Sequence, residues 1–118
     1  LALSALSLLD VAPPERCVVI AHRGASHVAP ENTLAAIRAA IEARAELVEI
    51  DVQETRDGVV VVLHDRDLQR VGGVPLAVAR STAEELRAVD LGARFDPRYR
   101  GERVPTLDEV LSLARGRI

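Results

Sequence analysis

The sequence predicts a fold of the α/β class, and three stretches of the chain carry that prediction. Residues 17–21 form a short apolar run rich in β-branched side chains, which is typical of a strand buried on both faces. Residues 32–45 have the apolar spacing of a helix, and residues 47–55 alternate between apolar and polar side chains as a strand does. A strand, a helix and a strand at this spacing predict a βαβ unit with two parallel strands.

The predicted helix has a clear apolar face and a clear start. Leu34, Ile37 and Ile41 recur at spacings of three and four residues, which places them on one side of a helix. Asn32 and Thr33 precede this run, and either residue is suited to be the N-cap. We therefore expect an amphipathic helix between the two strands.

The connection after the second strand is too short for another crossover. Residues 55–58 alone separate that strand from a further apolar run at residues 59–63, whereas a parallel connection needs a dozen residues or more. We therefore expect an antiparallel pair, with Asp57 and Gly58 at the turn.

The rest of the chain predicts a long loop and two helices. Residues 66–80 contain two glycines and a proline and are expected to form a loop. Ser81 and Thr106 are each followed three residues later by Glu, a capping-box pattern that starts a helix. The first of these helices is expected to run through about Val89, and Gly116 is expected to end the second.

Composition limits the classes of protein to consider. The 118 residues fit one domain, and a 48% apolar content with mixed charges fits a globular class. The net charge of −3 argues against a general nucleic-acid partner. The single cysteine, Cys17, opens an apolar run and is expected to be a small buried hydrophobic residue.

Residues 1–16 are expected to be an N-terminal extension or linker. The first ten are apolar but lack the basic start of a signal peptide and are too few to span a bilayer. An amphipathic packing helix followed by a Pro13-Pro14 linker is the preferred interpretation; the tail of a preceding membrane segment is the alternative. The sequence contains no Met, so we expect a piece of a longer protein, cytoplasmic or membrane-associated in preference to secreted.

Two carboxylates share one face of the second strand. The alternation places Glu49 and Asp51 on the face opposite Val48 and Ile50. Two carboxylates on one face of a strand repel each other, so they favour the binding of a divalent cation between them. Their hard oxygen ligands suit Mg²⁺ or Ca²⁺. The alternative is the solvated acidic face of an edge strand.

His64 ends the run at residues 59–63 and is either a structural histidine or part of the same site. A hairpin loop of two residues would place it opposite Asp51, and a loop of four would place it opposite Glu49. Either register puts His64 on the acidic face, whereas a loop of three residues would not.

His22 and Arg23 stand side by side at the end of the first strand, an arrangement that makes sense around an anion. Gly24 would let the backbone approach closely, and Glu31 is either a brace for Arg23 or an ordinary residue near a helix start. Functional groups of parallel α/β folds gather at the carboxyl ends of the strands. An Arg, two His and a carboxylate-held cation converging there suit a phosphate ester, with His22 and His64 exchanging protons.

These motifs together resemble the glycerophosphodiester phosphodiesterase family. The resemblance is carried by HRGASHVAPENTLAAIRAA at residues 22–40, ELVEIDVQETRDGVVVVLHD at 46–65 and PTLDEVLSLARG at 105–116. The family often has an aromatic residue before its HD pair and a Thr-rich stretch after it, where this chain has Leu63 and residues 70–73.

The resemblance implies a TIM-type (β/α)8 barrel with a β-hairpin insertion after the second strand, of which residues 17–118 would be the first, incomplete part. It implies hydrolysis of a small glycerophosphodiester to glycerol 3-phosphate and an alcohol. Glu49 and Asp51 match the family's metal ligands, His22 and His64 its acid–base pair, and Arg23 its phosphate contact. A third ligand, a Glu, would lie beyond residue 118, so residues 1–118 alone are expected to be unstable or oligomeric and nearly inactive.

Two other functions fit the same residues. A lyase of the same superfamily would stop at a cyclic phosphate, and a non-catalytic relative would bind a phosphodiester or a partner protein. Two histidines suited to proton transfer argue against simple binding. Membrane association through a segment before residue 1 is a further expectation.

Overall fold

A computed structural model describes residues 17–118 of the chain. The N-terminal helix and the Pro13-Pro14 linker expected from the sequence lie outside the described residues. Among residues 17–118, no helix combines the length and the apolar character needed to cross a membrane.

The first part of the fold is the expected parallel βαβ unit. Strand β1 (Ile20–His22) and strand β2 (Leu47–Glu49) are parallel and are joined by helix α1 (Leu34–Glu42). Thr33 is the N-cap, because its side-chain oxygen accepts the backbone N–H of Ala36. The mixed α/β class and the parallel pairing are therefore confirmed.

The second predicted strand is interrupted. Strand β3 (Val52–Glu54) begins after a break at Asp51, whose backbone N–H donates to the side chain of Asn32 at 3.3 Å instead of to a strand. Strand β3 pairs antiparallel with strand β4 (Val60–Val62), so the predicted direction is confirmed.

The predicted hairpin register is wrong. Thr55 and Val59 close the hairpin, because the N–H of Thr55 donates to the carbonyl of Val59 at 3.0 Å. The loop therefore has three residues, and Gly58 at its end has the left-handed φ of +78° that such loops require. Val52 pairs with Val62, which is one residue out of the registers that would place His64 opposite Asp51 or Glu49.

The segment after β4 contains more helix than the sequence predicts. Residues 66–80 include helix α2 (Gln69–Gly72) and a 3₁₀ turn (Val78–Arg80), where a loop was expected. Helix α3 (Ala83–Arg87) starts one residue later than predicted, because Thr82 and Glu85 form the capping box. A second 3₁₀ turn (Pro97–Tyr99) precedes helix α4 (Leu107–Ala114). Thr106 and Glu109 form the predicted capping box of α4.

The interior consists of two apolar clusters on either side of β4. The first lies between β4 and the segment from α2 to residue 104; its buried members are Val61, Leu63, Leu68, Val78, Ala83, Leu86, Leu91 and Val104. The second joins α1, β4 and α4 through buried Ile37, Val62 and Val110, with Val48 and Ile50 packed against it. Together the clusters pack β2 and β4 against the helices and loops around them.

Strand β1 is not buried on both faces, and Cys17 is exposed, so these two predictions are wrong. Ile20 is 56% exposed and its partner Leu47 is 50% exposed. In the described part of the chain, β1 has one neighbouring strand, and no second layer covers the face that Ile20 and Leu47 share.

Candidate functional site

The carboxyl ends of β1 and β2 bring a histidine and a carboxylate together. The parallel register pairs His22 with Glu49, and the His22 Nε2 lies 3.9 Å from the Glu49 Oε2. The same oxygen accepts the backbone N–H of Arg23 at 3.0 Å. The structure therefore joins His22, Arg23 and Glu49 at one end of the parallel pair.

Arg23 turns away from the strand to reach two more acidic side chains. Its φ of +56° is in the left-handed region, which costs a residue other than Gly about 1 kcal/mol. Its Nη1 donates to Glu31 Oε1 at 3.1 Å, and its Nε lies 3.4 Å from Asp51 Oδ2. The Nε is buried and forms no hydrogen bond in the described part of the chain, so its contact with Asp51 is an ion pair alone. Glu31 does brace Arg23, as one of the two interpretations had it.

Gly24 allows a close approach to helix α1. Its φ is +76°, and a Cβ at this position would lie 2.7 Å from the Cβ of Ala36. The next residue, Ala25, donates its N–H to the carbonyl of Ala36 at 2.9 Å. The close approach that the sequence predicted at Gly24 is therefore an approach to protein backbone, which ties the loop after β1 to α1.

Asn32 orients Asp51, a contact that the sequence reading missed. The Asn32 amide nitrogen donates to Asp51 Oδ2 at 2.9 Å, and Asn32 itself is only 1% exposed. Its φ of +56° places it in the left-handed region, where Asn is among the best-tolerated residues. The sequence predicts Asn32 only as a possible N-cap of α1, a role that Thr33 takes instead.

The His64 ring is held by its neighbour Asp65, and the His64 carbonyl accepts a hydrogen bond from the side-chain amide of Gln53 on β3 at 3.1 Å. The His64 Nδ1 lies 2.7 Å from Asp65 Oδ1, and the His64 side chain is 43% exposed. Within residues 17–118, His64 forms no hydrogen bond or ion pair with the side chain of Glu49 or Asp51.

Arg70 connects His64 to the rest of the site, and the sequence reading did not single it out. Its guanidinium forms two hydrogen bonds with Asp65, at 2.8 and 3.0 Å, and two with Glu31, at 2.8 and 2.7 Å. A continuous chain of contacts thus runs from His64 through Asp65, Arg70 and Glu31 to Arg23.

Both carboxylates in this chain of contacts are held in their ionised form. The hydrogen bonds from Arg70 lower the pKa of Asp65 to about 2, with a further contribution from His64. The same guanidinium, together with Arg23, lowers the pKa of Glu31 against an opposing effect of burial. Glu31 and Asp65 are therefore fixed negative charges at neutral pH.

The described residues include two, not three, carboxylates placed for a cation at the strand ends. No group of three or more His, Cys, Asp or Glu suited to a metal ion occurs within residues 17–118. Glu49 and Asp51 each use one carboxylate oxygen for protein donors, the Oε2 and Oδ2 atoms. Their other oxygens make no hydrogen bond in the described part, so this hard donor pair fits a divalent cation.

In α/β enzymes, phosphate esters bind and react at the carboxyl ends of parallel strands. Histidine, arginine and carboxylate side chains at this position are typical of such sites. The chain belongs to the glycerophosphoryl diester phosphodiesterase family, whose model matches residues 22–117.

Curated relatives and solved structures agree with this family. The chain is 45% identical over 98 residues to the glycerophosphodiester phosphodiesterase of Caldanaerobacter subterraneus, covering 83% of this chain and 40% of the relative. It is 39% identical over 111 residues to human glycerophosphodiester phosphodiesterase 1, covering 92% of this chain and 34% of the relative.

The crystal structure of glycerophosphodiester phosphodiesterase from Agrobacterium tumefaciens matches with a TM-score of 0.82 at 40% identity, over 86% of this chain and 44% of that one. An Oleispira antarctica phosphodiesterase in complex with the product sn-glycerol-3-phosphate matches with a TM-score of 0.79 at 38% identity, over 82% and 39% of the two chains. The chain thus spans less than half the length of these relatives.

Proposed function

We propose that this chain is the first part of a catalytic barrel that hydrolyses glycerophosphodiesters to glycerol 3-phosphate and an alcohol. The observation that carries the proposal is the convergence of His22 and Arg23, at the carboxyl end of β1, on Glu49 and Asp51, at the carboxyl end of β2. The product named for the Oleispira antarctica phosphodiesterase supports the substrate class. The length of the relatives supports a larger barrel in which residues 17–118 are the opening segment.

Glu49 and Asp51 are the residues that would hold the divalent cation, Mg²⁺ or Ca²⁺. When bound, the cation would neutralise charge on the phosphoryl oxygens and help to orient the diester. Arg23 would share that task, because its guanidinium lies beside the proposed ligand Asp51, with its Nε 3.4 Å from the Asp51 Oδ2. A further Glu from a strand after residue 118 would complete the ligand set.

His22 and His64 would exchange protons with the attacking water and the leaving alcohol. The His22 ring is 68% exposed beside Glu49 and is open to a substrate. The His64 ring is held at Nδ1 by Asp65, which leaves its Nε2 for the substrate side. General acid–base catalysis of this kind contributes roughly 10²–10⁴-fold in typical enzymes.

Product analysis in ¹⁸O-labelled water tests the proposal. A complete domain containing this sequence, supplied with glycerophosphocholine and Mg²⁺ or Ca²⁺, should release choline and glycerol 3-phosphate with one labelled phosphate oxygen. Accumulation of a cyclic glycerophosphate would show a lyase instead. Binding of the diester without turnover, in the presence of either cation, would show a non-catalytic relative.

A further inference from the structure

Arg70 occupies a position between the two halves of the candidate site. It lies on α2, which follows β4, whereas Glu31 lies 39 residues earlier, in the loop before α1. All three guanidinium nitrogens are engaged, with Nε and Nη2 on Asp65 and Nη1 and Nη2 on Glu31. Paired hydrogen bonds of this kind fix the plane of a carboxylate as well as its distance.

Each carboxylate held by Arg70 has its second contact inside the site. Asp65 Oδ1 lies 2.7 Å from the Nδ1 of His64, and Glu31 Oε1 accepts the Nη1 of Arg23 at 3.1 Å. Movement of Arg70 would therefore be passed on to the imidazole on one side and to the guanidinium of Arg23 on the other. Packing in the two apolar clusters does not position Arg70 relative to His64, because both residues are exposed.

We propose that Arg70 is a positioning residue that orients His64 through Asp65 and Arg23 through Glu31. The proposal rests on the proposed function, since it assigns Arg70 a part in that reaction. Arg70 has no direct role in the chemistry: its guanidinium holds two carboxylates, and those carboxylates hold the groups that act. A Lys cannot replace it fully, because an ammonium group lacks the planar fork that serves two carboxylates at once.

Steady-state kinetics of the complete domain test this role. Arg70→Ala should lower kcat for glycerophosphocholine about 10- to 100-fold, the usual cost of removing a supporting partner, with a smaller change in KM. Arg70→Lys should recover part of the loss. Arg66→Ala is the matched control, because Arg66 is exposed in the same segment and its side chain has no polar contact in the described residues. It should keep the wild-type kcat.

A double-mutant cycle separates positioning from an independent effect. If Arg70 acts through Asp65, the loss in Arg70→Ala/Asp65→Asn should be clearly smaller than the product of the two single losses. Multiplicative losses, or a wild-type kcat in folded Arg70→Ala, would overturn the proposal. If Arg70→Ala does not fold, a wild-type kcat in Arg70→Lys would overturn it equally.

Solvent exchange of the His64 Nδ1 proton gives a readout that needs no turnover. In the wild-type domain this proton should be protected by Asp65, and Arg70→Ala should speed its exchange while Arg66→Ala leaves it unchanged. Equal exchange in the wild type and Arg70→Ala would refute the positioning role. A domain that hydrolyses no diester would refute the proposed function, and this comparison would still decide whether Arg70 orients His64.

Discussion

Asn32 holds Asp51 at two points: its amide nitrogen donates to Asp51 Oδ2 at 2.9 Å, and its amide oxygen accepts the Asp51 backbone N–H at 3.3 Å. These contacts replace strand hydrogen bonding where β2 gives way to β3. They aim the carboxylate that we propose as a metal ligand. The break in the strand and the orientation of Asp51 therefore have one cause.

Removing the Asn32 amide should weaken cation binding. Asn32→Gly keeps a backbone that adopts φ of +56° without strain, so that it removes the side-chain contacts alone. We expect about 10- to 100-fold weaker activation by Mg²⁺ or Ca²⁺, read from a cation titration of activity. His27→Ala, at an exposed position of the same loop, is the control. Identical activation curves for Asn32→Gly and the wild type would contradict this prediction.

Neutralising either proposed metal ligand should nearly abolish activity. Glu49→Gln and Asp51→Asn keep the side-chain shape and remove the negative charge that attracts a cation. We expect kcat/KM to fall by orders of magnitude, with partial recovery in excess cation. Glu54→Gln, an exposed position of β3, should behave as the wild type does. Full activity of either ligand variant in a chelator would refute the assignment.

Gly24→Ala should destabilise the domain more than Gly101→Ala does. Both glycines have positive φ, +76° and +95°, but a Cβ at residue 24 would meet Ala36 at 2.7 Å, whereas none of the described atoms lies within 4 Å of one at residue 101. Overpacking of this kind costs roughly 1–3 kcal/mol beyond the backbone strain that both variants share. Urea unfolding of the two variants measures the difference, and equal losses would show that α1 shifts freely.

Stability at low pH should depend on Glu109. Arg87 donates two hydrogen bonds to it, at 2.6 and 2.9 Å, and lowers the pKa of Glu109 from 4.5 to about 2. A lowered folded-state pKa means that the contribution is present above about pH 4.5 and is lost as the pH falls through about 2. The pair is partly exposed, so we expect the free energy of unfolding of Glu109→Gln to be lower than that of the wild type by about 1 kcal/mol or less at neutral pH.

Urea midpoints of the wild type and Glu109→Gln, followed from pH 7 downward, should converge across that window. Glu84→Gln is the control for Glu109→Gln, because Glu84 is exposed at the start of α3 and its side chain has no hydrogen bond in the described residues. A gap between the wild type and Glu109→Gln that stays constant with pH would contradict the prediction.

Residues 1–118 on their own should show little hydrolysis of glycerophosphocholine. Two carboxylates of the proposed ligand set lie within them, and apolar Ile20 and Leu47 are exposed beside the site. Turnover by these residues should be orders of magnitude below that of a complete domain at the same cation concentration. Robust, cation-dependent turnover by residues 1–118 would show that the third ligand strand is not needed.

The sequence by itself determined the local elements. The spacing of Leu34, Ile37 and Ile41 specifies a helix face, and the Thr106 side chain starts a helix, because both depend on residues within one or two turns. The antiparallel direction of β3 and β4 follows from a short loop that no crossover fits. The motifs at residues 22–40 and 46–65 likewise indicated the family that the comparisons confirm.

Only the tertiary structure decided the hairpin register and the partners of the site residues. The loop length depends on Gly58 adopting a left-handed φ and on the bond between Thr55 and Val59, which the Asp-Gly pattern leaves open. The pairing of Arg70 with Glu31 joins residues 39 positions apart, and that of Asn32 with Asp51 joins residues 19 apart. No periodic pattern encodes such distances, because they are set by how α1, α2 and the strands pack around the two apolar clusters.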